Sequence, residues 1–317
     1  MEYLILILSL AGIVLGADFL VKGAVVVARK CRVSSFVIGA VIVGIGTSLP
    51  ELVVSTVGAI GGNSEVAIGN VVGSNIFNVF AILGLTALFF PIAVSRENMK
   101  FEIPFCIAVS ILLMLLVYNF FIVGEPRLGR WDGAALLLVF TSFMWISLRR
   151  GKSSAATVGE SVEEVNKSLW FAAFSILGGL AALIVSSNFF VDEAVAIARK
   201  LGVSDAFISI TLLACGTSLP ELAASVTAAV KKDTDMALGN IIGSNIFNAT
   251  MILGTASLIT PLTTGKIGLV DYGAMILAAV LPMIFGIRGK ITRIEGLLML
   301  LCYAAYTWYI VTYVMAV

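Results

Sequence analysis

The sequence contains no histidine. That excludes a histidine metal site, Ser-His or Cys-His nucleophilic catalysis, and a histidine proton relay. Charge is scarce as well: Asp, Glu, Lys and Arg make up 12% of 317 residues, about half the share usual in soluble domains. A soluble globule of this size could not cover its surface with so few charges. The four cysteines, Cys31, Cys106, Cys215 and Cys302, form no C-x-x-C pair, so packing is their expected role. Net charge is +1, so no global field attracts a polyanion, and nucleic acid is excluded as a partner. What remains is apolar: 60% of residues are hydrophobic and the mean hydropathy is +1.07. Composition therefore points to a polytopic membrane protein whose partner is the lipid bilayer. Nothing in it calls for a cofactor or an obligate protein partner.

Apolar runs of about 20 residues predict ten transmembrane helices, over 4–27, 36–60, 67–94, 101–121, 131–148, 169–198, 207–230, 236–262, 269–285 and 294–317. The first reads as a span and not as a cleaved leader, because Glu2 stands where a basic region would be. With both termini outside, inner loops hold 14 Lys and Arg and outer loops five. The positive-inside bias favours that orientation in the plasma membrane. The one long polar segment, RRGKSSAATVGESVEEVNKS at 149–168, reads as a cytoplasmic linker too short for a folded domain. It divides the chain into 1–148 and 169–317.

The two halves repeat. Residues 44–91 align with 214–261 without a gap, with 23 identities in 48 positions. GTSLPEL at 46–52 recurs at 216–222, and GSNIFN at 73–78 recurs at 243–248. Each half carries five spans, an odd number, so the second enters the membrane from the opposite side. That predicts an all-α fold of two inverted five-helix repeats with a midplane site between them. A duplicated packing bundle is the bland alternative, but the identities fall on polar, Gly and Pro residues rather than on apolar packing positions.

Pro50 and Pro220 lack an N–H and deny a donor to the carbonyls of Gly46 and Gly216. One proline kink would be unremarkable in a membrane helix. Glu51 and Glu221 change the reading, because an ionised carboxylate at that depth costs several kcal/mol unless paired or neutralised. Helical spacing sets Thr47, Ser48 and Ser55 beside Glu51, and Thr217, Ser218 and Ser225 beside Glu221. Asn70, Ser74 and Asn78 recur every four residues on the next span, mirrored by Asn240, Ser244 and Asn248. The inventory is hydroxyls, amide oxygens, freed carbonyls and two carboxylates. These are hard ligands for Ca2+ or Na+. Two negative charges balance one Ca2+ or two Na+, so the same oxygens can hold either load but not both.

The paired GTSLPE and GSNIFN motifs resemble the two alpha-repeats of the calcium/cation antiporter superfamily, in its sodium/calcium exchanger branch, prokaryotic type. The resemblance implies ten helices, with broken helices 2, 3, 7 and 8 around the site, and a transporter and not an enzyme: Na+ entry is exchanged for Ca2+ extrusion by alternating access. It places the calcium ligands on Glu51 and Glu221 with Thr47 and Thr217 beside them. It places the sodium sites on Ser48, Ser74, Ser218, Ser244, Asn78 and Asn248, and adds backbone oxygens near Gly44 and Ala214. One feature departs from some exchangers of this branch, which carry Asp at one position ending GSNIFN; here Asn78 and Asn248 both fill it. Proton- or K+-dependent exchange is therefore the alternative coupling. A cation channel would not need inverted broken helices.

Asp18 and Lys22 are spaced to form a local pair on the first span. Trp131, Trp145, Trp170 and Trp308, with Tyr303, Tyr306, Tyr309 and Tyr313, suit interfacial anchoring.

Overall fold

A computed structural model describes residues 2–118, 126–153, 168–201 and 214–314. The described chain is helical apart from four two-residue strands. Helix α1 spans Glu2–Cys31. It is followed by α2 (Ser35–Thr47) and α3 (Leu49–Ile60), which are bent by 47° at Ser48. Then come α4 (Ser64–Phe89), α5 (Asn98–Tyr118), α6 (Arg130–Ser153) and α7 (Leu169–Lys200). The second half continues with α8 (Leu219–Val230), α9 (Thr234–Ile259), α10 (Leu269–Gly286) and α11 (Arg293–Tyr309). Among the described residues, eight helices are long and apolar enough to cross a membrane, or nine if α2 and α3 form one span. The first part of the span expected at 207–230, and most of the linker, lie outside the described residues.

Burial separates the helices into an inner and an outer group. In their most apolar windows, α4 is 72% buried and α9 83%, against 11% for the last helix. Outer helices show large apolar side chains such as Ile7, Leu15, Phe174 and Leu177. In water such surface would be a liability; facing acyl chains it is the solvent-compatible face. Helices α1 and α7 cross antiparallel at backbone contact. A Cβ on Gly16 would stand 2.9 Å from the Gly179 carbonyl, and one on Gly23 2.8 Å from the Ala172 carbonyl. Small residues let membrane helices approach this closely.

Strands β1 (Ile92–Ala93), β2 (Arg127–Leu128), β3 (Leu262–Thr263) and β4 (Lys290–Ile291) form two antiparallel clips. β1 pairs with β4 and β2 with β3, so each clip joins a loop of the first half to a loop of the second.

Several expectations need correction. Helix α6 continues to Ser153, past the linker start expected at 149, because Arg149 stacks on Trp145 and Arg150 on Phe101 and the Gly151 carbonyl accepts from Ser34 N. The Asp18–Lys22 pair is not only local: Asp18 also binds Lys231 of the second half at 2.6 Å. Trp131, Trp170 and Trp308 are well exposed near helix ends. Tyr303 and Tyr306 instead turn inward. Tyr306 donates to Asp271 at 2.7 Å, and Tyr303 packs edge-on against Phe77.

Candidate ion site

The break at Ser48 follows from the sequence. Pro50 sits in the first turn of α3, where its missing N–H costs nothing, and Ser48 leaves helical geometry at φ −84° and ψ 9°. Ser218 does the same before α8, at φ −92° and ψ 7°. Each break lifts a glutamate into the first turn of the new helix, near the positive end of its dipole. Glu51 and Glu221 are both fully buried.

The two breaks face each other, and their hydrogen bonds cross. Ser48 Oγ donates to Glu221 Oε1 at 2.8 Å, and Ser218 Oγ donates to Glu51 Oε1 at 3.1 Å. The crossed bonds draw both carboxylates into one cluster. Neither belongs to any of the salt bridges among the described residues. Two ionised carboxylates in one dry cluster are untenable without countercharge.

Asparagines hold the site's geometry. Asn70 Nδ2 reaches Ser55 Oγ at 3.0 Å and the Glu51 carbonyl at 3.3 Å. Asn240 Nδ2 reaches Ser225 Oγ at 2.8 Å and the Glu221 carbonyl at 3.2 Å. These two therefore clip α4 to α3 and α9 to α8. Asn75 and Asn245 exchange reciprocal bonds, each Nδ2 to the other's carbonyl at 3.1 Å. Their own Oδ1 atoms accept from Asn78 Nδ2 (3.0 Å, at Asn245) and Asn248 Nδ2 (3.2 Å, at Asn75). An amide whose N–H is held this way must present its oxygen in the opposite direction. The sequence reading missed Asn75 and Asn245; their exact recurrence within GSNIFN was the available signal.

Asn78 and Asn248 also open π-helical turns, Asn78–Leu83 and Asn248–Ile252. Such turns inside α-helices gather at functional sites. Nothing in local propensity announced them.

A cation's fit can be tested on the oxygens left over. Buried side-chain oxygens without a hydrogen-bond partner include Glu51 Oε2, Glu221 Oε2, Asn78 Oδ1, Asn248 Oδ1, Ser74 Oγ and Thr217 Oγ1. All six come from the residues singled out by the motifs. Orphan atoms also occur away from the motifs, as at Thr56 and Tyr272; buried polar atoms are nearly always satisfied, and these six oxygens are ones a hard cation would satisfy. Among the described residues, no group of three or more His, Cys, Asp or Glu side chains could hold a metal. The charge must come from the two glutamates and the remaining ligands from neutral oxygens.

The remaining expected residues divide between the halves. Ser244 Oγ donates to the Gly44 carbonyl at 3.2 Å, and Thr47 Oγ1 lies 3.3 Å from Asn240 Oδ1. On the mirrored side, Ser74 Oγ and Thr217 Oγ1 make no corresponding hydrogen bond among the described residues. Ala214 begins the helical turn Ala214–Gly216. A cavity of about 440 Å3 opens beside Asn70, Gly73, Ser74, Tyr303 and Tyr306.

Comparison with known proteins places this site in a family. Residues 1–149 and 171–312 match the sodium/calcium exchanger protein family. The chain belongs to that family. Among its relatives, sodium/calcium exchanger MaX1 of Methanosarcina acetivorans is 34% identical over 339 residues, covering 96% of this chain and 97% of that protein. Inner membrane protein YrbG of Escherichia coli is 33% identical over 292 residues, covering 87% of this chain and 86% of that one. The solved structure of the sodium-calcium exchanger NCX_Mj, soaked with Na+ and no Ca2+, superposes with a TM-score of 0.83 at 32% identity, covering 98% of both chains. Membership agrees with the site's chemistry: a family named for two hard cations and a cluster of oxygen ligands without imidazole or thiol.

Proposed function

We infer that this family member is a secondary antiporter that exchanges Na+ for Ca2+ across the membrane. The observation that carries the reading is the crossed pair Ser48–Glu221 and Ser218–Glu51, which brings two uncompensated acids from the two halves to one buried point. Glu51 and Glu221 are the charged ligands of Ca2+, with Thr47 and Thr217 beside them. Ser48, Ser74, Ser218, Ser244, Asn78 and Asn248, with backbone oxygens near Gly44 and Ala214, complete the shells of Ca2+ and Na+. One Ca2+ or two Na+ neutralise the pair, so loading one species evicts the other.

The architecture proposed is ten helices in two inverted repeats, the first ending with α6 at Ser153 and the second beginning at 169, joined by a cytoplasmic linker between them. Contacts recurring at an offset of 170 support it, as do the two strand clips that join the halves. With both termini outside the cell, α2 is the inner gate of the site. It is docked on α9 through Gly44–Ser244 and Thr47–Asn240. The outer face beside Ser74 is open to the 440 Å3 cavity. That describes an outward-facing state, and alternating access exchanges the two conditions.

Reconstituted protein should take up 45Ca only against an opposing Na+ gradient. Uptake that ignores Na+ and follows a pH gradient, or that requires K+, would replace the proposed coupling. Single-channel currents without counter-ion would overturn antiport altogether.

A further inference from the structure

Behind the helix that carries Glu221, away from the ion site, α1, α7 and α8, with Leu85 of α4, line an open apolar groove of about 660 Å3. Ile13 and Val14 of α1, Phe190 of α7, and Leu222 and Val226 of α8 wall it. One end is different. There the Asp18 carboxylate is shared between two ammonium groups, Lys22 and Lys231, each at 2.6 Å. Lys231 Nζ also reaches the Asp18 carbonyl at 3.2 Å. Two cations on one anion leave a net positive rim, and both lysines keep exposed side-chain surface, 42% for Lys22 and 28% for Lys231. Lys231 directly follows the last residue of α8, so this rim lies at the level of a helix end, where lipid headgroups sit. From Leu10 to Asp18, α1 rises roughly 12 Å, enough for much of an acyl chain.

The rim is not part of the duplicated ion machinery. At the offset of 170, Lys231 corresponds to Gly61, Asp18 to Asn188 and Lys22 to Asp192. The other half therefore has the equivalent helices without the cationic mouth.

We propose that this groove is a binding site for one anionic glycerophospholipid, its phosphate on Lys22 and Lys231 and an acyl chain along α8. The pocket is lipid-shaped along its length and phosphate-selective at one end. An occupant there buttresses the helix whose opposite face presents Glu221, so its presence favours transport. The site does not depend on which ions are exchanged.

Native mass spectrometry of the full chain, released from micelles with phosphatidylglycerol or phosphatidylcholine of matched acyl chains, tests this directly. One phosphatidylglycerol should be retained, and phosphatidylcholine should not. The double variant Lys22→Gln/Lys231→Gln should weaken retention about tenfold, and Lys22→Arg/Lys231→Arg should restore it, which excludes misfolding as the cause. In vesicles of pure phosphatidylcholine, wild type and the Gln variant should take up 45Ca equally; phosphatidylglycerol should accelerate wild type alone. Equal retention of the two lipids, retention indifferent to the Gln variant, or a second copy of the chain in place of lipid would overturn the site. Loss of Na+-driven uptake in every lipid would instead strike the exchange reading and leave lipid retention standing.

Discussion

The two sides of the ion site are built from the same residues and stand in different conditions. On one side, α2 lies against α9. A Cβ on Gly239 would collide with the Phe36 carbonyl and one on Gly243 with the Ala40 backbone, and Ser244 and Asn240 contact Gly44 and Thr47. On the other side, most of the segment mirrored to α2 lies outside the described residues, and a cavity opens beside Gly73 and Ser74. In the outward-facing state proposed above, the α2 gate is the closed one, and its contacts are the template for closing its mirror, which is what a two-state carrier needs.

If the comparison is right, its shared centre should be symmetric and its gates should not. The largest effects fall at the centre. Glu51→Gln and Glu221→Gln should each cost about 2–5 kcal/mol of Ca2+ affinity, the range for truncating one member of a buried charged contact, and should abolish Na+-driven uptake. Calorimetric Ca2+ titration of both variants checks this. A large loss in one and none in the other would break the idea that the acids hold one ion jointly.

The crossed serines come next and sharpen the comparison. Ser48 meets Glu221 at 2.8 Å on the closed side, and Ser218 meets Glu51 at 3.1 Å. A hydrogen bond to a charged group contributes about 1.5–3 kcal/mol. Ser48→Ala and Ser218→Ala should therefore each raise the Na+ concentration for half-maximal exchange. Na+ titration of uptake by the two variants checks this, and an unchanged midpoint in either would count against the crossed pair as part of the shared centre.

A glycine substitution addresses the gate itself. Gly243→Ala forces a methyl into the Ala40 backbone, overpacking that costs about 1–3 kcal/mol, and should slow uptake by prying α2 from α9. An initial rate unchanged by Gly243→Ala would mean that the α2–α9 contact does not gate exchange.

The part of this architecture legible in the sequence was the part with a chemical signature. A proline cannot donate and a buried glutamate cannot stay uncompensated, so the breaks at Ser48 and Ser218 and the pairing of Glu51 with Glu221 could be read from residue types and spacing. Helix lengths followed from apolar runs, but α6 overran its predicted end because cation–aromatic stacking on Trp145 and Phe101 ordered a segment that looked like linker. The Asn75–Asn245 exchange was hidden because helical spacing puts Asn75 off the Ser74–Asn78 stripe; its partner lies in the other half of the chain. Tyr303 and Tyr306 look like belt residues until Asp271 and Phe77 are seen to face them. Lys231 joined Asp18 for the same reason: contacts between halves carry no local signal.

The smallest predicted effect also uses the duplication. Asp233 caps α9 by accepting from Met236 N at 3.0 Å, and its counterpart before α4 is Asn63. Burial raises the Asp233 pKa, against the lowering influence of its hydrogen bonds and of nearby Arg29. A folded-state pKa above the unfolded one means that the folded chain binds the proton more tightly, so this group's contribution to stability is full at low pH and fades as pH rises through the folded pKa. Asn caps about as well as Asp and carries no charge to desolvate. Asp233→Asn should therefore raise the melting temperature slightly at pH 7.5, by a stability change within about 1 kcal/mol. The gain should shrink as the pH is lowered toward 4 and wild-type Asp233 takes up its proton. Thermal melts of both proteins across that range decide it: a gain that grows with acidity, or a loss at neutral pH, would mean that attraction to Arg29 outweighs desolvation at this cap.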